Sequence, residues 1–182
     1  ADTLQRSEMI MKNIGAKIED RKVVQFARDA ALEAEKKGKG NEGFYVGAAV
    51  ELKNGSIITG KNSPIMHAAS SLILNSSKQL AGLPDKLQLL PPNIMKSLKY
   101  LKKEILNGKV VSLDLEETLI ALSISAISNP AAQMALEKLK ELEGCEVHIT
   151  HIPTRGDEAG LRKLGVHFTC DPDFCSKSLF VN

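Results

Sequence analysis

The residues of this chain that could do chemistry gather at two places. The first is the run Lys61-Asn62-Ser63-Pro64, followed by His67. Ser63 is a good helix N-cap and Pro64 suits the first helical position, so the run predicts a helix start. The first backbone N–H groups of a helix lack internal partners and carry the positive end of its dipole, so they readily bind phosphate or carboxylate. Lys61 and Asn62 would add side-chain donors, and His67 would stand one turn further in. The plainer reading is N-capping by Ser63 beside an exposed Lys61. The second place is Thr150-His151-Ile152-Pro153-Thr154-Arg155-Gly156-Asp157, between a strand pattern and a helix pattern. Open α/β sheets bind ligands at such strand ends. His151, Thr154, Arg155 and Asp157 are therefore candidates, against the alternative of a polar loop with Asp157 as an N-cap.

The stretch GAAVELKNGSIITGKNSPIMHAASSLI, residues 47–73, has the hairpin-then-helix order in which zinc deaminases present a first metal ligand. Those enzymes use the metal to turn water into a nucleophile, and a carboxylate that is not a ligand to move protons. Here His67 takes the ligand position, but Ala69 stands where the carboxylate would be, and the chain has no PCxxC pair. Cys170 and Cys175 could join His67 only if the last strand ran beside the helix after the hairpin. Buried, inert thiols are the better reading. Zinc and deamination are therefore not expected. Ser123, Ser125 and Ser128 precede a break at Asn129-Pro130, where unpaired carbonyls need partners, and could help to line a pocket. His148 and His167 read as packed or surface strand residues. GxSxG, Walker A, GxGxxG, HExxH and EF-hand spacings are all absent.

The elements that must position these groups follow from periodicity and punctuation. Helices are predicted over 3–13 and 19–37, the second with Val23, Val24, Ala27, Ala30 and Ala31 on one side. The connector KKGKGNEG follows, then strands 46–52 and 56–60 about an Asn54-Gly55 turn. A helix should run from Ser63 to Gly82, a short buried strand over 87–90 and a helix over 92–106. Asp114 caps a further helix through Ile127, and the pattern resumes over 131–142 after Asn129-Pro130. Strand 146–151, helix 157–164 and strand 166–170 complete the order. Strands separated by helices imply an α/β fold: a three-layer α/β/α domain with a mixed, largely parallel sheet over residues 44–182, preceded by a small helical lead-in over 1–38.

At 182 residues and 43% hydrophobic, the chain can bury one sizeable core. A net charge of +2, from 24 basic and 22 acidic residues, gives no field to attract nucleic acid or a membrane. Lys96, Lys99, Lys102 and Lys103 alternate with Leu98, Leu101 and Ile105, as on a solvated helix face. Without Trp, little is available to stack on bases. No apolar run approaches the ~20 residues of a membrane span, and the amino end is polar. A soluble, cytoplasmic protein with reduced thiols is expected. Ala1 in place of Met points to a processed chain or a fragment.

Three runs carry a closer resemblance: KGKGNEGFYVGAAVELKNGSIITGKNSPIMHAAS, LEETLIALSISAISNPAAQMALEKLKELEGCEVHITHIPTRGDEAGLRKLG and EDRKVV. They resemble the carboxy-terminal part of the bacterial domain-of-unknown-function 1846 family, also called uncharacterised protein family 0371, over essentially the whole chain. The resemblance implies a carboxy-terminal fragment whose missing amino-terminal part carries a P-loop-like segment, and a cytidine-deaminase-like topology after the helical lead-in. It brings no established reaction and no catalytic residues, and it makes His67-Ala68-Ala69 part of the family pattern. Deaminase-like folds also serve metal-free chemistry, such as formyl transfer to a purine-precursor nucleotide. The leading reading is a domain that binds a nucleotide or phosphorylated small molecule. Lys61, Asn62, Ser63 and His67 would hold the ligand, His151 or Asp157 would face the same cleft, and the missing part would complete the site. The second is a catalytically empty module for dimerisation or docking through Leu115, Leu119, Leu122, Leu136 and Leu139. The third is a metal-free transferase with His67 as general base. Any cofactor remains unassigned.

Overall fold

A computed structural model describes residues 2–174. Its helices are α1 (Asp2–Ile14), α2 (Lys22–Lys36), α3 (Ala68–Leu80), α4 (Pro92–Tyr100), α5 (Leu115–Ala126), α6 (Pro130–Lys138) and α7 (Arg155–Lys163). Its strands are β1 (Gly47–Glu51), β2 (Ile57–Lys61), β3 (Glu146–Ile149) and β4 (His167–Cys170). They form one mixed sheet in the order β2-β1-β3-β4. β1 is antiparallel to both neighbours, and only β3 and β4 run parallel. Less of the sheet is parallel than the strand and helix order predicts, because the hairpin places β1 between two antiparallel partners.

Alternation along the strands sorts their residues to two faces. Ala48, Val50, Val147 and Ile149 face the main core, where Leu72, Ile73, Leu115, Leu122 and Leu161 also pack. Ala49 faces the other way, against Val23 and Ala27 of α2. The lead-in predicted over residues 1–38 thus supplies α2 as the covering layer of the second face. The approach is close: a Cβ on Gly47 would lie 2.1 Å from the Ala27 carbonyl oxygen, so only glycine lets α2 lie flat on β1.

Polar groups pin α2 to the far strands. Arg28 donates to both Asp171 oxygens, at 2.8 and 3.1 Å, and Arg21 bonds Glu146 and Thr169. His148 is fully buried beneath them, its Nδ1 2.8 Å from Thr169 Oγ1. Burial holds the His148 pKa below its ordinary value, with Asp171 opposing, so it packs as a neutral ring.

Three predicted elements differ. Residues 63–67 form no helix: Ser63 closes a turn onto Met66, while His67 N–H and Leu113 N–H pair with Leu113 and Ile65 carbonyls. Those bonds occupy the backbone until Ala68, and His67, not Ser63, becomes the N-cap. Residues 87–90 form no strand; Leu89 and Leu90 pack on the core from a loop, and Pro91-Pro92 cannot donate to a ladder. The helix predicted over 92–106 ends in a π-helical turn, Leu101–Ile105. Among the described residues, no helix is long and apolar enough to cross a membrane.

Gly47→Ala should destabilise the chain by about 2–3 kcal/mol, since neither backbone can yield. Urea unfolding should show a lower midpoint at unchanged slope.

Candidate functional site

The N-termini of α3, α5 and α7 converge on a cavity of about 590 Å³ beyond the end of β3. Their N-cap residues, His67, Asp114 and Thr154, all line it. Asp157 links the three. Thr154 caps α7 by accepting from Asp157 N–H at 3.3 Å. The Asp157 carboxylate turns away from its own helix: Oδ1 accepts from Leu115 N–H at 2.9 Å, and Oδ2 accepts from Thr154 Oγ1 at 2.7 Å. His67 Nδ1 lies 2.7 Å from the same Oδ2. At 4% exposure Asp157 is a buried acid with its partners around it, as a buried charge requires. It lines the cavity, as the sequence reading places it, and also holds His67 in orientation.

With Nδ1 committed to Asp157, Nε2 is the His67 nitrogen left for the cavity. Burial works against the imidazolium, but the hydrogen bond and charge of Asp157 outweigh it, so the His67 pKa rises above 6.5. An imidazole held by a carboxylate is a unit for accepting and returning a proton near neutral pH. Asp114 forms a capping box with Glu117, its Oδ1 accepting from Glu117 N–H at 2.9 Å. Burial raises the Asp114 pKa; the Glu117 N–H opposes this, and the Glu117 and Asp157 charges add to it. A Cβ on Gly156 would fall 2.1 Å from Asp114 Oδ2, so this junction of α5 and α7 admits no side chain there. His151 contacts Thr150 Oγ1 at 3.0 Å, and burial lowers its pKa.

Asn62, Ser63, His67, His151, Thr154, Arg155 and Asp157 all line this cavity. Lys61 does not. It ion-pairs with Glu33 of α2 and borders a second cavity of about 670 Å³, between β2, α3 and the loop before α4. The helix start predicted at Ser63 lies instead at Ala68, and of the residues 61–63 Asn62 and Ser63 reach the cavity. Asn62 is a structural clamp, accepting from Val46 N–H at 2.9 Å and donating to the Phe44 carbonyl at 3.0 Å. Ser123, Ser125 and Ser128 line neither cavity, and Ser125 Oγ bonds back to Ala121 O at 2.7 Å. Cys170 is exposed on β4, and Cys175 lies outside the described residues. Among the described residues, no group of three or more His, Cys, Asp or Glu is placed to hold a metal ion.

Sequence reasoning missed two residues and undervalued a third. The sequence pattern puts Lys102 on a solvated face, yet its side chain is only 17% exposed against 61% for Lys103. The π-helical turn brings its ammonium to the cavity wall, where it donates to Ser112 O at 2.7 Å and Glu117 Oε2 at 2.6 Å. Ser112 lines the cavity too, with its Oγ buried and unpartnered among the described residues. Asp114 was legible only as a cap. No local signal marks Lys102, because its surroundings depend on a contact with α5.

The family model described as "Domain of unknown function DUF1846, C-terminal" matches residues 19–180. The chain is 43% identical over 181 residues to a UPF0371 protein of Clostridium tetani. It is 47% identical over 184 residues to one of Fusobacterium nucleatum, and 44% over 181 residues to one of Clostridium botulinum. Each match covers 100% of this chain but 36% of the relative, so the chain spans about a third of the length of the curated relatives it matches.

The His67–Asp157 pair carries a pH dependence of definite sign. A raised histidine pKa stabilises the fold fully below the unfolded value of about 6.5, and that stabilisation is lost as pH rises through the folded value. Asp157→Asn should therefore lower the His67 midpoint in an NMR titration. Its stability cost should be larger near pH 6 than near pH 9. A cost that grew with pH would contradict this assignment.

Proposed function

The chain belongs to the DUF1846 family, and from the cavity at its three helix starts we propose that this domain binds a small polar molecule and exchanges a proton with it through His67. The observation that carries this reading is the 2.7 Å bond between His67 Nδ1 and the buried Asp157. It sets the tautomer, holds the ring still and leaves Nε2 toward the ligand. Arg155 at the rim and Lys102 in the wall favour a nucleotide or phosphorylated small molecule. Most of each relative's length lies outside the matched stretch, and in the proposal that part contributes the rest of the site. The setting is cytoplasmic.

We read the frame as cytidine-deaminase-like. The reading is supported by the sheet order β2-β1-β3-β4 with β1 antiparallel, and by His67 at the start of the helix after the hairpin. Zinc-dependent deamination is not part of it, since Ala69 replaces the proton-carrying carboxylate and no PCxxC occurs.

A second reading, assembly as a homo-oligomer, has its own observation. Leu115, Leu122 and Leu139 are core residues, but Ile120, Ile124, Ile127 and Met134 lie exposed on α5, α6 and the turn between them. Any self-association face would be these four rather than the leucines.

A thermal-shift screen of the chain against AMP, ATP, adenosine and ribose 5-phosphate, beside His67→Ala, tests the proposal. A ligand at a hundredfold excess over its Kd should add about 2.7 kcal/mol of stability. The shift should vanish in His67→Ala and shrink in Asp157→Asn. A flat screen with dimers in light scattering would favour assembly, and a shift indifferent to His67→Ala would remove His67 from the site.

A further inference from the structure

The charged groups that line the cavity differ in how much of their bonding capacity the chain itself uses. Asp157 is fully committed to Leu115 N–H, Thr154 Oγ1 and His67 Nδ1. Lys102 gives two of its three hydrogens to Ser112 O and Glu117 Oε2. Arg155 and Glu42 are exposed, with no hydrogen bond or ion pair among the described residues. Asp114 lies between these cases. Its Oδ1 caps α5 by accepting from Glu117 N–H at 2.9 Å, while its Oδ2 has no hydrogen-bond partner among the described residues.

That second oxygen is open to a ligand. Among the described side chains, the unpartnered oxygens and nitrogens that are closed off are Ser112 Oγ, Thr118 Oγ1 and His148 Nε2, and Asp114 Oδ2 is not one of them. Asp114 is half-buried, and its Oδ2 lies against Gly156, which has no side chain to cover it and lines the same cavity. Asp157 fixes its place beside His67: one carboxylate holds the His67 ring with Oδ2 and, with Oδ1, the N–H of Leu115, next in the chain to Asp114.

A bare carboxylate oxygen in a half-buried wall calls for a donor. An ammonium would bring a like charge toward Lys102, which already opposes positive charge at His67 despite its bond to Glu117. A neutral hydroxyl brings the hydrogen without the charge. Two open carboxylates, Asp114 and Glu42, against one open guanidinium, Arg155, also suit a ligand with more donors than anionic groups.

We propose that Asp114 Oδ2 accepts a hydrogen bond from a hydroxyl of the ligand, adjacent to the hydroxyl whose proton passes to His67 Nε2 and back, so that the cavity selects a phosphorylated sugar with neighbouring hydroxyl groups. The inference rests on the proposed ligand site and narrows its ligand. Arg155 at the rim is open to the phosphate.

Isothermal titration of the chain with ribose 5-phosphate and AMP, beside 2-deoxyribose 5-phosphate, 2′-deoxy-AMP and phosphoethanolamine, tests it. The probes with adjacent hydroxyls should bind about tenfold tighter than their deoxy counterparts, the effect of one hydrogen bond to a charged group. Most of that preference should disappear in Asp114→Asn, which keeps the helix cap because asparagine caps as aspartate does. If Asp114→Asn does not fold by circular dichroism, the deoxy comparison on the unaltered chain decides. Equal binding of the deoxy probes, a preference unchanged in folded Asp114→Asn, or phosphoethanolamine binding as tightly as ribose 5-phosphate overturns the inference. Loss of binding in His67→Ala would then leave the proton-exchange reading standing. A preference that persists in His67→Ala but not in Asp114→Asn would keep the role of Asp114 and remove His67, and no binding of any probe would overturn both.

Discussion

A carboxylate buried at 4% exposure must be surrounded by donors, and Asp157 draws them from three helices. Leu115 N–H belongs to α5, His67 to the start of α3, and Thr154 to α7 itself. Removing the charge would leave one helix start unpaired and His67 free to turn. The arrangement of the cavity thus depends on one buried carboxylate in its wall. The same bonds explain why the three helix N-termini meet, because each supplies a hydrogen that the carboxylate needs.

The sheet supplies the rigidity behind that junction. β1 sits between β2 and β3, with its alternate residues serving two cores. α2 closes the second face by close backbone approach at Gly47, and arginine bonds to β3, β4 and Asp171 hold it there. His148 is buried as a neutral ring in that network, while His67 is held toward its charged form by Asp157. The pKa values of two histidines of one chain are therefore shifted in opposite directions, because burial prevails over Asp171 at His148 and Asp157 prevails over burial at His67.

The cavity is nearly balanced in charge, which selects for shape and donor pattern more than for gross electrostatics. Lys102 is partly neutralised by Glu117, and Asp114 sits near both Asp157 and Glu117. A ligand bound there, on the proposed reading, would be recognised by placed hydrogen bonds in a sheltered space. Ala69, in the first turn of α3, brings no carboxylate to the wall.

Much of the fold was legible in the sequence. The Asn54-Gly55 hairpin, the Asp114 cap and the Asn129-Pro130 break are local matters of turn chemistry and capping. The apolar stripe of α2 was equally plain, because periodicity reports which face is buried. His67, His151 and Asp157 stood out by type and by their places at element ends. The helix start at residue 68 was not legible, since it depends on Leu113 pairing with the preceding turn. Nor was the bond between His67 and Asp157, 90 residues apart, or the entry of Lys102 into the cavity through a π-helical turn. Local rules set the elements because their hydrogen bonds close within a few residues. The site was decided by tertiary structure, because its partners meet only when three helix starts are brought to one end of the sheet.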